Sequence, residues 1–197
     1  YADRLDETAK DYLRRVRRAA QRMGILIDDI LSLSRATRAE MSSDWVDLTA
    51  LAREILSELR VADPDRRVEV SVEEDLAVKG DVRLLHVVLM NLLSNAWKFT
   101  GRRKRARIEV GVLSPEAAAN YGYRSRKVFF VRDNGVGFDM AYAEKLFGAF
   151  ERLHRSEDFP GSGIGLATVK RIIRRHGGQV WAEGAVDKGA TIHFVLA

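Results

Sequence analysis

Apolar residues recur along positions 3 to about 41 at alternating steps of four and three: Leu5, Ala9, Tyr12, Val16, Ala19, Met23, Leu26, Ile30 and Leu33. This is the spacing of one helix face, and Leu13, Ala20 and Ile27 widen the stripe beyond the narrow seam of a two-stranded coil. The pattern predicts one long bundle-forming helix, with Asp3 as its cap and Asp6 and Glu7 complementing its dipole. No second helix of comparable length and pattern follows, so its partner helices are expected from another subunit, from upstream sequence, or from both. The alternative is a long helix lying on its own domain. The periodicity breaks over residues 42–47, which divides the chain into residues 1–44 and 45–197.

Beyond that boundary residues 48–61 return to the helical period and end near Pro64. Residues 67–72 alternate apolar and charged positions as a half-buried strand does, and 76–78 read as a second short strand. The central stretch, residues 81–100, reads DVRLLHVVLMNLLSNAWKFT. At about 100° per residue Leu85, Val88, Leu89, Leu92, Ala96 and Phe99 share one face, whereas Asn91, Asn95 and Lys98 lie within roughly 60° of one another on a different face. Residues 106–113 and 127–132 read as neighbouring antiparallel strands around a polar loop, 114–126. A short helix over 139–150, an irregular stretch over 152–162 and a helix over 164–175 follow, the last closed by His176 and Gly177. Residues 179–183 and 190–196 complete the sheet as a hairpin. The sum is an α+β fold, a two-layer sandwich with helices on one face of a mainly antiparallel sheet.

Composition changes this picture chiefly by exclusion. The 197 residues are 46% hydrophobic, enough for a sizeable core, and contain no cysteine, which rules out disulfides, thiol catalysis and cysteine zinc sites. The four histidines, His86, His154, His176 and His193, form no His-x-x-x-His pair. No apolar run reaches about 18 residues and no signal peptide opens the chain, so cytoplasmic placement without membrane contact is expected. The net charge of +5 sits largely in short runs at 14–18 and 102–105. Without interleaved stacking aromatics these runs do not point to nucleic acid; a polyanionic nucleotide or an acidic partner protein suits them.

Three segments carry chemistry. On the central helix two neutral amides and an ammonium suit a magnesium polyphosphate, an amide oxygen being a hard metal ligand and a lysine a point charge for phosphate; the bland alternative is a solvated polar stripe. Asp133-Asn134-Gly135-Val136-Gly137 stands at a strand end, where a carboxylate accepts from an exocyclic amine such as that of adenine and glycines let backbone approach a flat ring; the same letters also spell an ordinary turn. Gly161-Ser162-Gly163-Ile164-Gly165-Leu166 opens directly into a helix and forms an anion site from backbone amides. It is neither a Walker loop, for no Gly-Lys-Ser or Gly-Lys-Thr follows, nor a Rossmann fingerprint, for Leu166 stands where a third glycine belongs.

The order of these segments resembles the ATP-binding domain of sensor histidine kinases, which shares a superfamily with gyrase and Hsp90. NLLSNAWKFT looks like the N box, DNGVGF the first glycine box, KLFGAF the phenylalanine box and GSGIGLA the second glycine box. The long helix, with RMGILIDDILSLSR, resembles the second helix of the dimerisation and phosphotransfer domain, and VRDNGVGFDM, FERLH and FPGSGIGLA are similar to phytochrome-like histidine kinases. The resemblance implies ATP and Mg2+ as ligands, with Asn91 and Asn95 on magnesium and phosphate, Lys98 on phosphate and Asp133 on the adenine amine. It further implies that Gly135 and Gly137 shape the adenine pocket and that Gly163, Gly165 and Leu166 form its phosphate side. Residues 138–162 would be the ATP lid, with Phe147 and Phe150 packing its base and Arg152 and Arg155 as candidate γ-phosphate contacts. Implied partners are a second copy, through the long helix of the full-length protein, and a response regulator receiver domain. No counterpart of the family's phosphoacceptor histidine stands among the four histidines, so phosphate would pass to a histidine upstream of these residues and this stretch alone would not autophosphorylate. Two alternatives compete. An ATP-driven clamp of the gyrase and Hsp90 kind needs a glutamate base where Asn91 stands, and an amide takes no proton from water near neutral pH; a non-enzymatic nucleotide-binding dimerisation module needs only the boxes.

Overall fold

The computed structural model describes residues 5–38, 40–153, 159 and 161–197. Helix α1, Glu7–Arg38, forms as its period predicts, and the carboxylate of Asp6 caps it by accepting from the Ala9 amide at 2.7 Å; the expected cap, Asp3, lies outside the described residues. Much of its apolar stripe faces solvent: Tyr12, Leu13, Val16, Met23 and Ile27 are all exposed. Its backbone comes close to that of α5, described below. No described helix is long and apolar enough to cross a membrane.

Residues 42–47, expected only as a break, contain strand β1 (Asp44–Asp47). It pairs antiparallel with β3 (Ala77–Gly80), so the short strand anticipated near residues 76–78 belongs to a separate two-stranded sheet. The sequence pattern missed β1 because four residues, one of them buried, are too few to establish a period of two. Asp47 ends β1 and caps α2 (Leu48–Ala62), accepting from the Ala50 amide at 3.0 Å.

The main sheet has the order β2–β4–β5–β7–β6, built from Val68–Val72, Ala106–Val112, Phe129–Asp133, Gly189–Val195 and Gln179–Ala185. Three of its four pairings are antiparallel, as the mainly antiparallel expectation requires; β2 and β4 run parallel, joined by the crossover through α3 (Val82–Phe99). The loop expected over 114–126 holds a short helix, α4 (Pro115–Asn120), capped by Ser114. Residues 139–150 shorten to a 3₁₀ helix, Met140–Phe147, capped by Asp139. Helix α5 spans Gly165–Arg175, and His176 caps it before Gly177 at φ 68°.

Helices α2, α3 and α5 cover one face of the main sheet. Leu85, Leu89, Leu92 and Leu93 of α3 interdigitate with Ile55 and Leu56 of α2, Val169, Ile172 and Ile173 of α5, and Ile108, Phe129, Val131 and Phe194 of the sheet. Each such side chain removes about 1.5–3 kcal/mol of unfavourable hydration. Because strand residues alternate faces, Phe129, Val131 and Asp133 all point toward the helices, and so do Ala190, Ile192 and Phe194 of β7. The register that buries Phe129 and Val131 therefore carries the Asp133 carboxylate to the margin of the core.

Candidate functional site

Beyond the packed end of α3 the helix and sheet layers part around a cavity of about 300 Å³. Asn91, Asn95 and Lys98 line it from α3, Asp133 from β5, Gly137 from the turn after β5, and Gly163, Gly165 and Leu166 from the start of α5. The structure thus gathers eight of the nine principal predicted residues around one hollow. Gly135 is the exception: it does not line the cavity but donates its amide to Asp133 Oδ1 at 2.7 Å, so it acts behind the carboxylate. Arg152 lines the cavity and donates to the carbonyls of Gly161 and Phe159, both at 2.6 Å. Arg155 lies outside the described residues.

Each side chain is held by local structure. Asp81 sets the start of α3, its Oδ1 accepting the amides of Arg83 and Leu84 at 3.0 and 3.2 Å. Asn91 donates Nδ2 to Val87 O at 2.8 Å, which turns its Oδ1 toward Gly165; an added Cβ at Gly165 would stand 2.5 Å from that oxygen. Glycine at 165 is thus what lets α5 begin against the Asn91 amide. The Asn95 oxygen accepts from Lys98 Nζ at 3.0 Å, and the same ammonium lies 4.4 Å from the Phe99 ring centre. After β5 the turn is sewn to α3 through Val136 N to Phe99 O at 3.2 Å, and Gly137, at φ 62°, comes so close to Ala185 O that a Cβ there would be 1.9 Å away.

The electrostatics are those of a site prepared for an anion at one wall and a polar donor at another. Burial pushes the Lys98 ammonium below its ordinary pKa and the charge of Arg152 pushes it further, while no described carboxylate pairs with it. Two cations facing one cavity repel, and polyphosphate oxygens would relieve that repulsion. Helix α5 has no side-chain cap, so its first amides add a partial positive charge to this wall. Burial raises the Asp133 carboxyl to about 6, against the opposing pull of the Gly135 and Ala190 amides and the charge of Arg103.

Sequence reasoning missed most of the apolar lining: Val131, Phe138, Leu146, Leu153, Phe159 and Ile192. Phe99, expected on the packing face of α3, is half-buried and lines the cavity, its ring 5.1 Å from that of Phe159. Phe147 packs with Phe138 and Ala182 as expected. Phe150 does not: it is 60% exposed, with φ 65°, and its amide donates to Gly163 O at 3.0 Å. Arg103 also escaped notice, although it donates to the carbonyls of Asn134, Gly135 and Asp187 at 2.8, 2.8 and 2.6 Å and so fixes the turn beneath Asp133.

With this geometry in view, comparisons with known proteins agree on a family. Residues 80–197 match the model of the histidine kinase-, DNA gyrase B-, and HSP90-like ATPase family. The phytochrome-like protein Cph1 of Synechocystis is 33% identical over 100% of this chain and 25% of its own length. The methanogenesis regulatory histidine kinase FilI of Methanothrix harundinacea is 37% identical over 92% of this chain and 19% of its own. This chain thus spans a quarter or less of the length of these two relatives. Full-length ShkA in complex with AMPPNP superimposes with a TM-score of 0.69 at 25% identity, covering 98% of this chain and 39% of that one. The cavity with its two asparagines, lysine, carboxylate and glycine-led helix therefore sits in a recognised fold: the chain belongs to the histidine kinase-, DNA gyrase B- and HSP90-like ATPase family.

Proposed function

We propose that this chain is the ATP-binding catalytic part of a two-component sensor histidine kinase, whose γ-phosphate acceptor is a histidine outside these residues and whose final acceptor is a response regulator. The observation that carries the reading is the convergence of Asn91, Asn95, Lys98, Asp133 and the uncapped start of α5 on one cavity. Residues 1–44 would be the second helix of a dimerisation bundle and 45–197 the catalytic domain. The exposed stripe of α1 supports assembly with a second copy, since Tyr12, Leu13, Val16, Met23 and Ile27 leave an apolar face in water.

In this reading Asp133 accepts the exocyclic amine of adenine, while Val131, Phe138 and Ile192 exclude water from the ring. Lys98 and the α5 amides hold the phosphates, and Arg152 stands beside them. Asn91 and Asn95 would hold magnesium through neutral amide oxygens, as an ion shared with phosphate oxygens requires. The ion's chemistry is neutralisation of charge on the transferring phosphoryl group. What the chain itself contributes is position: helix α3 and α5 fix the polyphosphate so that a histidine nitrogen meets the γ-phosphorus in line. None of the described histidines is available for this role: His176 accepts from the Asp81 amide at 3.1 Å and is buried, His193 is buried in the sheet, and His86 sits within α3; His154 lies outside the described residues. A clamp-type hydrolase is disfavoured because an amide, Asn91, stands where a base is needed.

Calorimetric titration of ATP with magnesium tests the site: saturable binding should weaken tenfold or more in Asn95→Ala and in Asp133→Ala, about 1.4 kcal/mol each. The transfer step is tested by mixing the chain and labelled ATP with a separate histidine-bearing bundle helix and looking for acid-labile phosphate on that helix. Binding without transfer to any such helix favours the nucleotide-binding module over the kinase.

A further inference from the structure

A second hollow, of about 580 Å³, lies where the end of α2 meets the starts of β2 and β4. Arg60, Arg66, Arg67, Lys104 and Arg105 line it, with Pro64, Val68 and Ala106 as its apolar part and Glu69 as its one carboxylate. It shares no residue with the nucleotide cavity. The nearby acids are committed elsewhere or stand apart: Glu69 pairs with Arg107 at 3.2 Å, Asp63 lies 3.9 Å from Arg66, and Asp65 does not line the hollow. Arg60, Arg67, Lys104 and Arg105 make no ion pair with any described residue.

The fold creates this concentration of charge. Val68 pairs with Ala106 in the parallel β2–β4 ladder, so Arg67 and Arg105, each one residue earlier, enter side by side. Like charges on neighbouring strands repel. Arg66 is held rigidly beneath them, donating to Thr100 Oγ1 at 2.8 Å with its guanidinium 4.9 Å from the Trp97 ring centre. The basic run at 102–105 divides between the two hollows: Arg102 lies over Phe159 and Arg103 braces the turn after β5, whereas Lys104 and Arg105 turn to the second hollow. Arg60 and Arg66 have structural roles as well, Arg60 complementing the C-terminal dipole of α2 and Arg66 bonding Thr100 and stacking on Trp97, whereas Arg67, Lys104 and Arg105 make no ion pair with any described residue.

We infer that this hollow is a binding site for a small anion bearing two or more phosphate groups. Four of its five cations are arginines, whose forked donors match phosphate oxygens two at a time. Its lining is largely exposed and has no aromatic ring on which a base could stack, so recognition falls on phosphate rather than on a nucleobase.

Inorganic tripolyphosphate, titrated into the chain by calorimetry in the absence of metal, tests the assignment. In a Lys98→Ala background, which removes the nucleotide cavity's share of the signal, tripolyphosphate should still bind, and adding the exposed pair Arg67→Ala/Arg105→Ala should weaken that binding tenfold or more and flatten its salt dependence. Equal affinity in that background with and without the arginine pair overturns the inference, and so does loss of all binding in Lys98→Ala, which would place the anion in the nucleotide cavity. Indifference to tripolyphosphate combined with arginine-dependent capture of a poly-glutamate peptide overturns it in favour of an acidic protein partner.

Discussion

Asp133→Asn should make the empty domain more stable and a poorer nucleotide binder at the same time. The carboxyl of Asp133 has its pKa raised from 3.8 to about 6, chiefly by burial. The folded chain therefore holds a proton there more readily than the unfolded chain does, and stability falls as pH rises from about 4 to about 6; the penalty is complete above that window. A rise of that size corresponds to about 3 kcal/mol, and water in the cavity screens part of it, leaving about 1–3 kcal/mol at pH 7.5. Asparagine removes the charge but keeps an oxygen to accept from Gly135 N. For a domain of this length the gain is about 3–9 °C in Tm at pH 7.5, shrinking to about a third of that near pH 4.5. Paired thermal melts of both proteins at the two pH values measure it. ATP binding should move the other way, by about tenfold, if Asp133 accepts the adenine amine as proposed, because that charge-assisted hydrogen bond would become a neutral one. A variant equally destabilised at both pH values would refute the claim that burial of an ionised carboxylate is what the site pays to recognise its ligand.

Asp81 presents the opposite sign. Burial pushes its carboxyl up, but Arg83 and the amides of Ser42 and Leu84 outweigh this and hold it at about 2. About 2.5 kcal/mol is therefore present well above pH 4 and lost as pH falls through 2; between pH 5 and pH 2.5 the unfolding free energy from urea should fall by about 1.5 kcal/mol more in the wild-type chain than in Asp81→Asn. Gly165→Ala should leave the fold intact and weaken Mg–ATP tenfold or more in calorimetry, since its Cβ displaces the Asn91 oxygen. Gly137→Ala should cost stability directly, more than about 2 kcal/mol by urea unfolding, because both its φ of 62° and the Ala185 carbonyl oppose a side chain. Arg103→Ala should lose about 2–3 kcal/mol in the same measurement, as three carbonyls lose a charged donor.

What could be read in the sequence was whatever a single element decides. The spacing of Leu85, Leu89 and Leu92 determines which face of α3 is buried, and the same arithmetic leaves Asn91, Asn95 and Lys98 together at a different angle. The alternation of Phe129, Val131 and Asp133 likewise ties a buried strand face to a carboxylate at its end. Illegible features depend on contacts between distant segments. The walls of the cavity come from α3, β5, β7, the 3₁₀ helix and residue 159, and no local pattern says that Phe138 and Phe159 will meet there. Phe150 shows the same limit in reverse: the resemblance implied that it packs at the lid base, yet it stands in water, its amide bonded to Gly163 O. That bond ties the stretch after the 3₁₀ helix to the glycines that open α5, so the wall holding Arg152 and the wall supplying the helix amides are joined directly. Substitutions at Gly163, where an added Cβ would stand 2.9 Å from Glu151 O, should therefore disturb the Arg152 wall and the start of α5 together.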